Sequence, residues 1–124
     1  MLTIDYRSKD PIYLQIKNEI ARLVVLGVYL PDTPLPSVRT LATQLGINPN
    51  TIQKAYRLLE EEGITYSAAG RGSFVAGAEA ARAYMKQTHM ADCQAVIKAA
   101  RLAGVTLQEL QAMADEIYEE GAHD

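Results

Sequence analysis

The sequence has a single cysteine, Cys93, and no run of about 18 apolar residues, so no membrane-spanning helix and no membrane partner are expected. One cysteine cannot form a disulfide within the chain, which suits a reducing compartment. The N-terminus also lacks a basic region followed by an apolar core, and we therefore expect no export signal and a cytoplasmic location.

The chain has no excess of basic residues, because its formal net charge is −3 at pH 7. This charge is unevenly distributed. Residues 1–76 hold eight Lys or Arg against seven Asp or Glu, whereas residues 77–124 hold four against eight. Since local charge clusters govern affinity for nucleic acid more than total charge does, a nucleic-acid partner is not excluded.

Prolines and glycines delimit the first predicted helix and the connection after it. Asp10 is a candidate helix cap, and Pro11 suits the first helical position because its missing N–H is not needed there. The helix is predicted to end at Gly27. Residues 28–36 contain three prolines, which predicts an extended or turning connection.

Two short helices with a very short turn between them come next. Ser37 is predicted to cap a helix that ends at Gly46. Only residues 47–48 separate it from a helix that begins at Pro49, with Asn48 as its predicted cap, and runs to Gly63. Two short helices joined by a few residues that include a glycine are typical of a helix-turn-helix.

A small β-hairpin is predicted after this pair of helices. Residues 64–66 are β-branched or aromatic, residues 69–72 have the composition of a turn, and residues 73–75 form a second short strand. Arg71 lies at the tip between two glycines, so the backbone there can approach another surface closely.

The rest of the chain, residues 77–124, is predicted to form two helices. The first extends from about Glu79 to Ala103. The second begins at a capping box, in which Thr106 and Glu109 satisfy each other's backbone groups. The predicted fold class is therefore mainly α with a small β-hairpin.

The helix that begins at Pro49 separates into two faces when successive residues are placed about 100° apart. The apolar face consists of Ile52, Ala55, Tyr56 and Leu59. The opposite face consists of Asn50, Gln53, Lys54 and Arg57. Amides and cations are the groups that read base edges or hold phosphates in a major groove, and the free N–H groups near Thr51 favour a phosphate.

The alternative interpretation is an ordinary solvated face, since every amphipathic helix has a polar side. Three features together favour DNA binding: no carboxylate on this face through Arg57, a helix of the right length before it, and an arginine-tipped hairpin after it. Arg39, in the first turn of the preceding helix, can contact a phosphate or form a surface salt bridge. Arg71 can enter a narrow minor groove or remain a solvated turn residue.

Four segments resemble the N-terminal domain of the GntR family of bacterial regulators. They are LPSVRTLA (35–42), NPNTIQKAY (48–56), LEEEGI (59–64) and GRGSFV (70–75), in the family's order and spacing within residues 11–76. The resemblance implies a winged helix-turn-helix domain over residues 1–76, with a recognition helix starting near Pro49 and a wing tipped by residues 70–72. It also implies a sequence-specific transcription regulator, most simply a homodimeric repressor of a palindromic operator, and no enzymatic activity.

The sequence departs from the family pattern at three positions. Many members have an arginine where Pro49 stands and a basic residue where Gln53 stands, so site preference does not transfer from relatives. The family's usual glycine after the first helix is Asp32, which can adopt the left-handed conformation at some cost. The predicted DNA-binding residues are Ser37, Arg39, Asn48, Asn50, Thr51, Gln53, Lys54, Arg57, Gly70, Arg71 and Gly72.

Residues 77–124 are too few to enclose a metabolite pocket within one subunit, and they resemble the short tail of the family's YtrA-type branch. That resemblance implies a two-helix dimerisation tail, whose apolar stripe is buried on a second copy. The alternative is that the stripe packs back on the winged domain. An effector is left open. The predicted dimerisation residues are Tyr84, Ala91, Ala95, Leu102, Leu110, Met113, Ile117 and Tyr118.

Two other classes of function compete with this interpretation. His89 and Cys93 stand four apart on a helix and could hold a metal or form a nucleophile–base pair. Because no phosphate loop or pair of catalytic acids accompanies them, we expect a surface histidine, a buried cysteine, and no metal or cofactor. The second class is a protein-interaction module with a winged fold, which predicts no salt-dependent affinity for DNA.

Overall fold

The computed structural model describes residues 2–121, which form five helices and one antiparallel hairpin. In chain order the elements are α1 (Ile12–Val25), α2 (Val38–Leu45), α3 (Pro49–Glu61), β1 (Thr65–Ala68), β2 (Gly72–Val75), α4 (Ala78–Leu102) and α5 (Leu107–Gly121). The predicted class, mainly α with a small hairpin, is confirmed.

The caps of α2 and α3 are those expected from the sequence. Ser37 Oγ accepts a 3.0 Å hydrogen bond from the N–H of Thr40, and Gly46 ends α2 in the left-handed conformation. Asn48 Oδ1 accepts a 2.8 Å hydrogen bond from the N–H of Asn50 at the start of α3. Each cap satisfies a backbone group that the helix itself leaves free.

The predicted cap of α1 is wrong. Pro11 is the N-cap residue, in an extended conformation and without a side-chain cap, so Asp10 lies one residue too far out to bind the first turn. The side chain of Gln15 instead joins this segment to α1. Its Nε2 donates to the carbonyl oxygens of Asp5 (2.9 Å) and Asp10 (3.0 Å), and its Oε1 accepts from the N–H of Asp5.

The hydrophobic core of residues 2–87 lies between α1, α3 and the hairpin. Its largest fully buried side chains are Ile16, Ile20, Ile52, Leu59, Ile64 and Val75. Burying each such side chain contributes about 1.5–3 kcal/mol to stability. Because the buried residues of α3 all lie on one face, this burial holds α3 against α1 by that face alone. The other side of α3 remains at the surface.

The hairpin is extended by the proline-rich connection. β1 and β2 pair antiparallel from Thr65↔Val75 to Ala68↔Gly72. On the other side of β2, the N–H of Leu35 donates to Ser73 O and the N–H of Val75 donates to Thr33 O, both at 2.9 Å. The three prolines gave no indication of this pairing in the sequence, because proline has no N–H to donate. Thr33 and Leu35, on either side of Pro34, supply the carbonyl oxygen and the N–H that pair with β2.

Asp32 adopts the left-handed conformation expected where relatives have glycine, with φ 65°. Among the described residues it is the only non-glycine residue with positive φ. The hydroxyl of Tyr66 donates a 2.8 Å hydrogen bond to Asp32 Oδ1, and the N–H of Asp32 donates to Val75 O. These bonds offset the strain of the turn by tying it to both strands.

The chain divides into two compact units between Gln87 and Thr88, within α4. The first unit therefore includes the first turns of α4, whereas the division predicted from the sequence, at residues 76–77, remains a prediction about domain organisation. In the second unit, α4 and α5 are joined by a turn at Gly104, where φ is 95°. Among the described residues, no helix combines the length and hydropathy needed to cross a membrane.

The predicted capping box of α5 is present. The N–H of Thr106 donates to Glu109 Oε1 at 3.0 Å, and the N–H of Glu109 donates to Thr106 Oγ1 at 3.1 Å. The backbone N–H of Thr106, together with its side chain, lowers the pKa of the Glu109 carboxyl. The box is therefore a local start signal for α5.

Candidate nucleic-acid interface

The two faces of α3 are separated as the helical period predicts. The side chains of Ile52, Ala55, Tyr56 and Leu59 are buried. Those of Asn50, Gln53, Lys54 and Arg57 are exposed. The polar edge is thus uncovered in the subunit, and its contact with DNA stays a prediction.

Asn48 and Thr51 have structural partners at the start of α3. Asn48 supplies the cap, and its carbonyl oxygen accepts a 3.0 Å hydrogen bond from the N–H of Thr51. Thr51 itself is half-buried. Both residues therefore define where the helix begins and how its exposed N-terminus is presented.

The start of α2 presents a hydroxyl pair and an arginine. Ser37 Oγ, besides capping, donates a 2.8 Å hydrogen bond to Thr40 Oγ1. Arg39 is exposed, and among residues 2–121 it has no ion-pair partner, so the salt bridge considered as its alternative role is not observed. Its guanidinium can meet a phosphate without first losing an intramolecular bond.

Lys54 and Arg57 each touch another side chain. Lys54 Nζ lies 3.9 Å from the centroid of the Tyr13 ring on α1, a cation–π contact that the sequence did not reveal. Arg57 Nε lies 3.8 Å from Glu61 Oε1, and both side chains are more than half exposed. Such a surface pair is worth little in free energy and can be exchanged for a phosphate.

The acidic run at the end of α3 is occupied by intramolecular bonds. Glu60 Oε1 accepts a 3.2 Å hydrogen bond from the N–H of Ser67 on β1. Glu62 Oε1 lies 3.1 Å from Lys17 Nζ, and Glu61 faces Arg57. These carboxylates lie at the opposite end of α3 from Asn50, so they leave its N-terminal half free of negative charge.

The wing ends in a tight turn that holds Arg71 in solvent. The N–H of Arg71 donates a 2.9 Å hydrogen bond to Ala68 O, and Gly70 and Gly72 have φ values of 73° and 97°. The turn needs these glycines because such φ values are strained for other residues. Arg71 also lines a cleft of about 180 Å³ with Ser37, which places the wing beside the start of α2.

The predicted dimerisation residues divide into two groups. Tyr84 packs within its own subunit: its hydroxyl donates to Asn18 Oδ1, and its ring lies 4.2 Å from Lys17 Nζ. Among the others, Leu102, Met113, Ile117 and Tyr118 are 91, 52, 57 and 80% exposed. Ala91 and Ala95 are exposed as well, and Leu110 is half-buried.

Cys93 is exposed in the subunit, so the expectation of a buried cysteine was wrong. The reason is that, within residues 2–121, no third element covers the side of α4 that carries Cys93. Cys93, with Ile97, Met113 and Ile117, lines an apolar groove of about 440 Å³ between α4 and α5. His89 is at the surface, and the described residues contain no group of three side chains able to hold a metal ion.

Comparison with known proteins places this architecture in a family. The family model "Bacterial regulatory proteins, gntR family" matches residues 12–75. The HTH-type transcriptional repressor YtrA of Bacillus subtilis (strain 168) is 40% identical over 121 residues, which cover 94% of this chain and 92% of that protein. The similarity therefore extends through the C-terminal helices.

Solved structures show the same similarity. The crystal structure of a transcriptional regulator from Oenococcus oeni matches with a TM-score of 0.78 and 30% identity, covering 95% of this chain and 99% of that one. The DNA-binding domain of AraR in complex with operator ORX1 matches with a TM-score of 0.54 and 38% identity, covering 60% and 93%. The matched proteins are transcription regulators rather than enzymes, and the chain belongs to the GntR family of bacterial DNA-binding transcription regulators.

Proposed function

We propose that this protein is a homodimeric repressor that binds a palindromic operator, with α3 in the major groove and the hairpin wing in the minor groove. The observation that carries the proposal is the polar edge of α3. From Asn50 through Arg57 this edge is exposed and free of carboxylates, and the apolar side of the same helix is buried.

Base reading is assigned to amide and ammonium groups in the first half of α3. Asn50 and Gln53 carry amides that can pair with an adenine edge, and Lys54 can donate to guanine or phosphate. Thr51 and the free N–H groups of the first turn favour a phosphate, because the helix dipole is positive there. Sequence preference should therefore rest on few side chains.

Contacts with the DNA backbone are assigned to residues around α3 and to Arg57 in its second half. Ser37 and Asn48 hold the N-termini of α2 and α3 toward the surface, and Arg39 and Arg57 supply charge. The wing contributes Arg71 between Gly70 and Gly72, a narrow tip that suits a narrow minor groove of negative potential. These contacts supply affinity on any sequence.

The dimer is assigned to residues 77–124, and the winged domain to residues 1–76. In a single subunit the groove between α4 and α5 leaves Met113, Ile117 and Tyr118 more than half exposed. An exposed apolar surface of this kind is characteristic of an interface. We exclude Tyr84 from it, because its ring and hydroxyl are engaged with α1.

Two-fold symmetry then explains the form of the operator. A symmetric dimer presents two recognition helices to half-sites about 34 Å, or one helical turn, apart. The similarity to YtrA, a transcriptional repressor, supports the role of repressor, and an operator DNA as target supports a cytoplasmic location.

The experiment is selection of bound fragments from random DNA, followed by titration at several salt concentrations. We expect an inverted repeat with half-site centres about 10 base pairs apart. The log–log slope of affinity against salt should be on the order of −5 to −10. Absence of any enriched sequence together with a flat salt dependence would indicate the alternative, a winged protein-interaction module.

A further inference from the structure

Lys17 on α1 is a buried cation. It is only 6% exposed, and with Thr65 it is one of two buried polar residues in the part of the chain that the structure describes. A buried ammonium is costly unless it is paired. Its Nζ lies 3.1 Å from Oε1 of Glu62, the residue that directly follows α3.

Tyr84 on α4 supplies a second partner for Lys17. The ring centroid lies 4.2 Å from Lys17 Nζ, within the range of a cation–π interaction. The hydroxyl of Tyr84 donates a hydrogen bond to Asn18 Oδ1, on the residue after Lys17. Lys17, Glu62 and Tyr84 therefore form a junction between α1, the end of α3 and the start of α4.

Small residues let α4 approach this junction closely. Ala81 is fully buried, and the Cβ of Ala80 lies 3.8 Å from the place where a side chain on Gly63 would begin. Gly63 itself has φ 76°, so the turn after α3 depends on it. The first turns of α4 are thus packed directly against the end of the recognition helix.

A charged junction is not what stability alone would select. A well-packed apolar side chain in place of a buried ion pair is often equally or more stabilising. In some proteins buried charged groups are retained because they specify one arrangement of their partners. The partners here are α1, the end of α3 and the first turns of α4. Helix α4 is continuous from Ala78 to Leu102, and its later turns belong to the second unit.

We propose that Lys17 is a positioning residue that fixes the start of α4 to the winged domain, and so restricts the spacing between half-sites that the dimer accepts. This inference rests on the proposed function, since spacing has meaning only for a dimer on a two-part operator. Loosening the junction should leave each recognition helix intact. The two winged domains of the dimer should then also bind half-sites whose separation differs from that of the selected operator.

The test uses the full chain and three DNA duplexes: a single half-site, the selected operator, and the same operator lengthened by two base pairs. The main variant is Lys17→Met, which keeps an apolar stem. The Glu62 carboxylate that loses its partner is already 40% exposed in the wild type, so water can hydrate it. Tyr84→Leu is a second variant that retains the Lys17–Glu62 pair. Arg22→Met is the matched control, because it breaks the exposed Glu19–Arg22 pair on α1.

For wild type and Arg22→Met we expect a strong preference for the selected spacing. The measure is the Kd for the lengthened operator divided by the Kd for the selected operator. In Lys17→Met and Tyr84→Leu this ratio should fall about tenfold, while the affinity for the half-site stays within about twofold of wild type. Amide exchange in residues 78–87 should accelerate in both variants and not in the control.

An unchanged spacing ratio in both variants, beside a wild type that does discriminate spacing, would overturn the role assigned to Lys17. A wild type that binds the half-site and both operators equally would instead contradict the proposed dimer. An equal loss of affinity on all three duplexes would show that Lys17 acts only through the stability of the fold, which also overturns the inference.

Discussion

The hydroxyl of Tyr56 donates a 2.7 Å hydrogen bond to the carbonyl oxygen of Pro36, and so joins the middle of α3 to the residue before the cap of α2. Tyr56 is 5% exposed and belongs to the buried face of α3. This bond ties the middle of α3 to the start of α2, and so holds the two helices of the helix-turn-helix together.

Replacing Tyr56 with phenylalanine should therefore reduce stability. The change removes the hydroxyl and leaves the Pro36 carbonyl without its partner, which costs about 1–3 kcal/mol in the free energy of unfolding. Urea denaturation followed by circular dichroism measures this loss. Tyr6→Phe is the control, because Tyr6 is 70% exposed, and it should leave the midpoint unchanged. Equal midpoints for both variants would contradict the role given to the bond.

The same residue predicts a dependence on alkaline pH. Burial, with a smaller contribution from Tyr29, raises the pKa of the Tyr56 hydroxyl far above its ordinary value of 10.0. Below pH 10 the hydroxyl is neutral in both states, and above it the unfolded chain ionises first, which favours unfolding. The stability advantage of wild type over Tyr56→Phe should thus be constant from pH 6 to about 9 and shrink above about 10. A constant difference through pH 11 would argue against this.

The turn at Asp32 allows the cost of its backbone conformation to be measured. Asp32→Ala and Asp32→Gly both remove the acceptor for Tyr66, so they differ chiefly in how they tolerate φ 65°. Glycine adopts this conformation freely and alanine does not, so Asp32→Gly should be more stable by about 1 kcal/mol. Thermal denaturation of the pair gives the difference directly. If alanine were the more stable, strain at this position would be excluded.

Arg71 at the wing tip should contribute affinity without sequence preference. Arg71→Ala should weaken binding to all DNA sequences and reduce the salt slope by about one unit for each phosphate that the protein no longer neutralises. Fluorescence anisotropy at several salt concentrations separates these effects. Arg82→Ala removes an equal charge from the exposed surface of α4 and serves as the control. Identical slopes for wild type and Arg71→Ala would remove the wing from the interface.

Gln53, in contrast, should determine which base is preferred. Its exposed amide can form two hydrogen bonds with one base edge, and such a pair is worth about 1–3 kcal/mol of discrimination. Repeating the random-DNA selection with Gln53→Ala should abolish the preference at one position in each half-site and leave the others. Gln111→Ala removes an exposed amide from α5 and should reproduce the wild-type result. An unchanged preference in Gln53→Ala would assign base reading elsewhere.

Local chemistry explains what the sequence could predict. The caps at Ser37 and Asn48, the glycine at position 46 and the two faces of α3 depend on residues a few positions apart, and they are present as predicted. The interactions that the sequence did not reveal join distant positions: Tyr13 with Lys54, Pro36 with Tyr56, and Lys17 with Tyr84.

The errors have the same origin. Composition alone predicts a cap at Asp10, although the extended conformation of Pro11 moves it away from the first turn. A buried Cys93 is predicted because cysteine is usually buried, whereas its surroundings depend on which elements cover α4. Neither the conformation of one residue nor the coverage of a helix is determined by spacing along the chain.

The apolar groove between α4 and α5 yields the sharpest test of the dimer. Ile117 is 57% exposed in one subunit, and Ile117→Glu would bury a carboxylate in the proposed interface. A two-fold interface contains each substitution twice, so the dissociation constant of the dimer should rise by on the order of 100-fold or more. Sedimentation would then detect monomers, and binding to the full operator should fall to that of a half-site.

The reason to expect folded monomers is that α5 keeps its own start signal. The capping box of Thr106 and Glu109 lies at the first turn of α5 and is untouched by the substitution. Gln111→Glu adds the same charge at another exposed position of α5, and its dimer should persist if position 111 lies outside the interface. A full-strength dimer of Ile117→Glu would mean that the subunits associate through another surface, because an isoleucine buried twice at a symmetric contact cannot be exchanged for a carboxylate without loss.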